Sequence, residues 1–70
     1  MKGLSFSSLR SGEKYRITNY GDQFEVELMH ILEPEDFLFK DLHTLERFCM
    51  SDIIRFGKGK DFEIRELIMR

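Results

Sequence analysis

Four stretches rich in β-branched and aromatic residues, KYRITN, FEVELMHIL, FLFK and TLERFCM, follow one another from Lys14 to Met50. Only a few turn-forming residues separate them. A fifth stretch, IIRFGKGKDFEIREL, folds back on itself through its glycines. Short strands at short intervals describe an all-β fold, a small, tightly wound antiparallel barrel of five to six strands. Such barrels are general binding scaffolds, so the fold alone does not select a ligand.

The strands can be placed one by one. Lys14 to Asn19 puts Tyr15 and Ile17 on one face, and Tyr20, Gly21 and Asp22 form the turn. Gln23 to Leu32 is long. Phe24, Val26 and Leu28 alternate with Glu25 and Glu27, one face buried and one wet. The alternation decays at Met29, His30, Ile31 and Leu32, as expected where a barrel strand bends and both faces become partly covered. Glu33, Pro34, Glu35 and Asp36 close that strand, since proline cannot donate to a ladder.

Phe37 to Lys40 is the third strand and Thr44 to Met50 the fourth. Residues 51–53 read as a single helical turn, because Ser51 and Asp52 can satisfy nearby backbone N–H groups. Ile54 to Phe56 resumes a strand, GKGK forms a hairpin tip, and Phe62 to Leu67 closes the barrel. A short terminal helix is the alternative for the tail, since Ile64, Leu67 and Ile68 also fit helical spacing. Phe24, Val26, Leu28, Phe48, Met50, Phe62 and Ile64 form the expected core.

Residues 1–70 make one domain, with residues 1–8 a loosely ordered lead-in. A domain this small is marginally stable. The single cysteine, Cys49, makes no internal disulfide, and no Cys/His spacing suggests zinc. Oligomerisation is the remaining reinforcement. The opening MKGLSFSSLRSGEK has no sustained apolar run, and no segment approaches the roughly 20 apolar residues that cross a bilayer. No membrane partner and a cytoplasmic location are expected.

Charge is uneven. Residues 1–20 carry a net +3, residues 21–46 a net −7 and residues 47–70 a net +2. The acidic centre and basic ends can attract each other or face partners.

The Leu9, Gly12, Tyr15, Ile17 stretch, the long second strand, FLFKD, and the Ser51 to Ile53 turn between two strands together resemble the SH3-like and Sm-like small barrels. The resemblance covers most of residues 9–67 and is architectural. It implies such a barrel with a short helical turn near 51–53. The chain is also similar to small bacterial proteins of uncharacterised role. Neither the peptide-groove residues of SH3 domains nor the uridine-pocket pattern of Sm proteins maps onto this sequence.

Candidate sites follow from residue chemistry. GKGKD, Gly57 to Asp61, lacks the spacing of a phosphate-binding loop and reads as a basic hairpin tip, with Arg55, Lys58 and Lys60 as an anion or nucleic-acid candidate. Glu25 and Glu27 share a wet strand face, and Glu33, Glu35 and Asp36 read as a solvated loop without a calcium pattern. His30 and His43 lie beside no nucleophile, and Cys49 reads as a small core hydrophobe. Tyr15, Tyr20, Phe37 and Phe39 mostly fit core phase rather than a base-stacking platform.

Met29, Ile31, Leu38 and Leu45 are surplus to one small core and form the protein-interaction candidate. Met29 and Ile31 are expected on the face that Glu25 and Glu27 keep wet, unless Leu4 and Phe6 fold over them. The expected function is a non-catalytic protein-binding or self-associating module, without cofactor or metal. An RNA-binding Sm-like barrel using the basic 55–60 hairpin is the alternative.

Overall fold

A computed structural model of the chain describes residues 4–32 and 35–67. It has five strands: β1 (Lys14–Asn19), β2 (Asp22–Leu32), β3 (Asp36–Asp41), β4 (Arg47–Cys49) and β5 (Glu63–Glu66). They form one antiparallel sheet in the order β4-β3-β2-β1-β5. A 3₁₀ turn, Phe6–Ser8, precedes β1, and one helical turn, α1 (Met50–Ile53), lies between β4 and β5. The fold is therefore all-β. Among the described residues no ladder joins β4 to β5, so the sheet is open. No described helix is long and apolar enough to cross a membrane.

The connection from β1 to β2 is a two-residue hairpin turn. Tyr20 and Gly21 both have positive φ, 50° and 80°, the mirror-image geometry that matches the twist of paired strands. Glycine adopts it freely, whereas tyrosine does so at a cost. Asp61 offsets that cost by accepting the N–H of Tyr20 at 2.9 Å and of Gly21 at 2.7 Å.

Paired residues of an antiparallel ladder share a face. Tyr15 lies opposite Val26, Ile17 opposite Ile64, Leu28 opposite Phe39, and Phe39 opposite Phe48. These pairs line the inner face. Leu9, Tyr15, Ile17, Val26, Leu28, Phe37, Phe39, Met50 and Ile64 are buried together. Of the expected core, Val26, Leu28, Met50 and Ile64 are fully enclosed. Phe24, Phe48 and Phe62 are only half-buried against its border. Phe48 stands on edge strand β4, where the sheet supplies neighbours on one side only. The Tyr15 hydroxyl is not orphaned, since it accepts the Arg10 N–H at 2.9 Å.

Three local expectations need correction. The fourth strand begins at Arg47 rather than Thr44, because the Asp41 carboxylate accepts the N–H of His43 and of Thr44 and winds residues 42–45 into a turn. Leu45 takes positive φ, 64°, within it. Ile54 to Phe56 is a turn, not a strand, so GKGK is not a hairpin tip. The physical reason is Asn19. Its amide donates to the Ile53 and Gly57 carbonyls and accepts the Gly59 N–H, so loop 53–59 bonds to a side chain instead of to a strand. The tail stays extended through β5, and the Leu67 N–H bonds to the Lys14 carbonyl at 2.8 Å. Ile68 lies outside the described residues, as does Pro34.

The lead-in takes part in the packing. The Leu4 N–H bonds to the Ile64 carbonyl at 2.7 Å. Phe6 meets Phe37 edge-on at 5.5 Å and Phe62 at 6.3 Å between ring centroids.

Candidate functional site

A bulge in β2 decides which apolar residues reach the surface. Leu28 pairs with Phe39, but His30 pairs with Leu38, so Met29 is the extra residue. One inserted residue reverses the alternation beyond it. His30 moves to the outer face, and Ile31, opposite Phe37, moves to the inner one. Ile31 therefore does not share the face of Glu25 and Glu27, as simple alternation suggested. It extends the inner face past the end of the core, where it is 52% exposed.

There Ile31 lines a groove of about 420 Å³ with Phe6, Leu9, Leu32 and Phe37, and with Glu35 and Asp36 at its acidic side. Phe6 folds toward Ile31 but walls the groove without covering it. The floor is apolar because it continues the core. The groove results from the bulge, the 3₁₀ turn and the start of β3 meeting at one end of the sheet.

The four interaction candidates do not form one patch. Leu38 is on the outer face opposite His30 and Cys49, half-buried. Met29 is the half-buried bulge residue. Leu45, 65% exposed, lies beyond Asp41 at the other end of β3 from Phe37, the partner of Ile31. Only Ile31 joins the groove.

The cations of residues 55–60 turn to different neighbours. The Arg55 guanidinium stands 5.8 Å from the centre of the Phe56 ring. The Lys58 ammonium lies 4.4 Å from the centre of Phe6 and 5.3 Å from that of Phe62, a cation–π arrangement that engages the charge within the molecule. Lys60 borders a second hollow of about 400 Å³ with Thr18, Gln23, Asp61 and Glu63. The glycines here serve structure. Gly57 has φ 96°, and a Cβ on Gly59 would stand 2.9 Å from the Tyr20 ring.

Phe56 is a residue that sequence periodicity misplaced. It is 85% exposed, although it was expected in a strand. Its backbone is held, because the Tyr20 hydroxyl donates to its carbonyl at 3.0 Å and Gly57 beside it is clamped by Asn19.

Asp36 ties α1 to the groove. It accepts the Phe37 N–H, the Ser51 N–H and the Ser51 hydroxyl at 2.8, 3.0 and 2.8 Å. Partial burial pushes its carboxyl up, but the Ser51 hydroxyl and the two N–H groups outweigh it and bring it below the ordinary 3.8. A carboxyl lowered by folding adds stability that is present above its unfolded value and lost as pH falls through its folded value. Urea midpoints should therefore decline below pH 3.8, and Asp36→Asn should shrink that decline. Glu25, Asp41 and Asp61 are lowered too, so the variant keeps part of the acid sensitivity. An unchanged acid profile in Asp36→Asn contradicts this role.

Glu25, His43 and Cys49 are tied into the fold. Glu25 accepts from Arg16 at 2.8 Å and meets His43 Nε2 at 2.8 Å, and these bonds, Arg16 first, hold its carboxyl low. Burial, then the charges of Asp36 and Asp52, push the Cys49 thiol up, away from the thiolate that nucleophilic chemistry uses. Among the described residues no three His, Cys, Asp or Glu side chains converge in a metal-binding group.

No protein-family model matches the chain, and searches of curated proteins and of solved structures return no match.

Proposed function

We propose that this protein is a non-catalytic interaction module that associates with protein, in the first place with itself, through the Ile31 groove. The observation that carries this reading is the exposed Ile31 on the continuation of the core face, beside Phe6, Leu9 and Phe37. Apolar surface at the mouth of a small domain is a usual place for a partner. A domain without disulfide or zinc staples also gains most from added burial. The non-catalytic part of the reading is supported by Cys49, whose thiol pKa is raised by burial and by the nearby Asp36 and Asp52, and by the engagement of His43 with Glu25.

An SH3-like or Sm-like barrel is the fold we assign to this module. It is supported by the strand order, the long bulged β2 and the helical turn between β4 and β5. A cytoplasmic setting suits its single thiol.

Sedimentation of the wild type and Ile31→Lys tests the reading. The wild type should gain mass with concentration, and Ile31→Lys should remain monomeric with a nearly unchanged melting temperature. A wild type that is monomeric throughout, with Ile31→Lys melting far lower, would mean that Ile31 serves internal packing.

Nucleic-acid binding through Arg55, Lys58 and Lys60 is the second reading, and the capture of Lys58 by Phe6 and Phe62 weighs against it. Fluorescence anisotropy with mixed RNA and DNA oligomers should detect weak or no binding at physiological salt. Sub-micromolar binding that falls with Lys58→Glu or Lys60→Glu would promote it above self-association.

A further inference from the structure

Two features of the molecule are complementary to each other. One is the groove, apolar in most of its lining, with the exposed Glu35 at its rim beside Asp36, whose carboxylate is already held by Phe37 and Ser51. The other is Phe56, 85% exposed, with the Arg55 guanidinium against its ring. Aromatic and arginine side chains are the commonest anchors of protein interfaces, and they act by filling a desolvated pocket. A rigidly presented anchor loses less entropy on docking. Phe56 meets that condition, since Asn19, Tyr20 and Gly57 fix its backbone while its ring remains in solvent.

From this we infer that the occupant of the groove is residue Phe56 of a second copy of the chain, with Arg55 facing the acidic rim. The inference rests on the self-association reading and specifies its geometry. Size, polarity and charge all agree. The groove is within the ordinary volume range of small binding pockets, about 300–1,000 Å³, and its apolar lining of Phe6, Leu9, Ile31 and Phe37 suits a phenyl ring. The anchor is flanked by a cation and the groove by carboxylates. Because the anchor and the groove are different surfaces, each contact pairs unlike elements of the two copies. Each copy offers one of each, so the contacts close as a reciprocal two-fold dimer where both engage at once and run to a ring or an open chain where they do not.

A mixing experiment reads this geometry. Phe56→Ala keeps an intact groove and Ile31→Lys keeps an intact anchor. Each alone should associate at least about 30-fold more weakly than the wild type, the effect of losing one interface hot spot. An equimolar mixture should form a one-to-one heterodimer and stop there. Phe56 is exposed, so its truncation leaves the fold intact. Should Ile31→Lys fail to fold, Glu35→Lys replaces it, and the doubly reversed Glu35→Lys/Arg55→Glu chain should regain association. Wild-type-like association of Phe56→Ala, with association lost in the groove variant, overturns the anchor and leaves the groove reading standing. A mixture that stays monomeric also overturns it. A wild type that never associates overturns both.

Discussion

Phe39→Ala should destabilise the protein by about 3–5 kcal/mol, the cost of truncating a fully enclosed phenylalanine. Phe39 has no exposed surface. It stands on β3 between β2 and β4, opposite Leu28 on one side and Phe48 on the other. Its ring lies 6.2 Å from that of Phe48 and 6.3 Å from that of Phe37. Two ladders hold the backbone on either side, so the sheet cannot collapse into the space left behind. A domain of 70 residues has a total stability of about 4–10 kcal/mol at ordinary values per residue. The loss is therefore a large share of the total stability and moves the urea midpoint far down. Phe48→Ala should cost less, since its ring is only half-buried at the sheet edge. Urea melts measure both, and a loss below about 1 kcal/mol for Phe39→Ala would contradict the placement of the core.

Asn19→Ala should cost about 1–3 kcal/mol, because it removes the partners of three backbone groups, two of them half-buried. Asn19 is 3% exposed and is the one buried polar residue among those described. Its amide nitrogen donates to the carbonyls of Ile53 and Gly57 at 3.1 and 3.2 Å, and its oxygen accepts the Gly59 N–H at 2.7 Å. Those three bonds fasten the loop after α1 to the end of β1. Asn19→Asp separates the two roles. It keeps the acceptor for Gly59 but sets a carboxylate against two carbonyl oxygens, so it should destabilise at least as much as alanine. Hydrogen exchange should show faster exchange of the Gly59 amide in both variants. An Asn19→Asp protein as stable as the wild type would mean that the two donated bonds carry little.

Much of the sheet was legible because its signals are local. β1 follows from the alternation of Tyr15 and Ile17 and the turn at Gly21. Most of β2 follows from Phe24, Val26 and Leu28 against Glu25 and Glu27. The helical turn before β5 followed from Ser51 and Asp52, although the bonds that hold it come partly from Asp36, far away in sequence.

What escaped the sequence depends on distant partners. Met29, His30, Ile31 and Leu32 showed that alternation failed, but two explanations fit, a bend or a bulge. Only pairing with Phe37 and Leu38 distinguishes them, and the choice moves Ile31 from one face to the other. Ile54 to Phe56 has the composition of a strand, yet Asn19, over 30 residues earlier, bonds the carbonyls of Ile53 and Gly57 on either side of it, and the Ile54 N–H turns back to the Met50 carbonyl. Phe56 was misplaced as a consequence. The groove was invisible because Phe6, Ile31 and Phe37 meet only after the chain has folded.

Backbone amide shifts measured by NMR as the protein is diluted test the groove most directly. If the groove is where copies meet, dilution should shift amides of residues 6–9, 31–32 and 35–37 together with those of residues 55–57, and Ile31→Lys should abolish the concentration dependence. Spectra that do not change with concentration, or changes confined to β4 and β5, would contradict it.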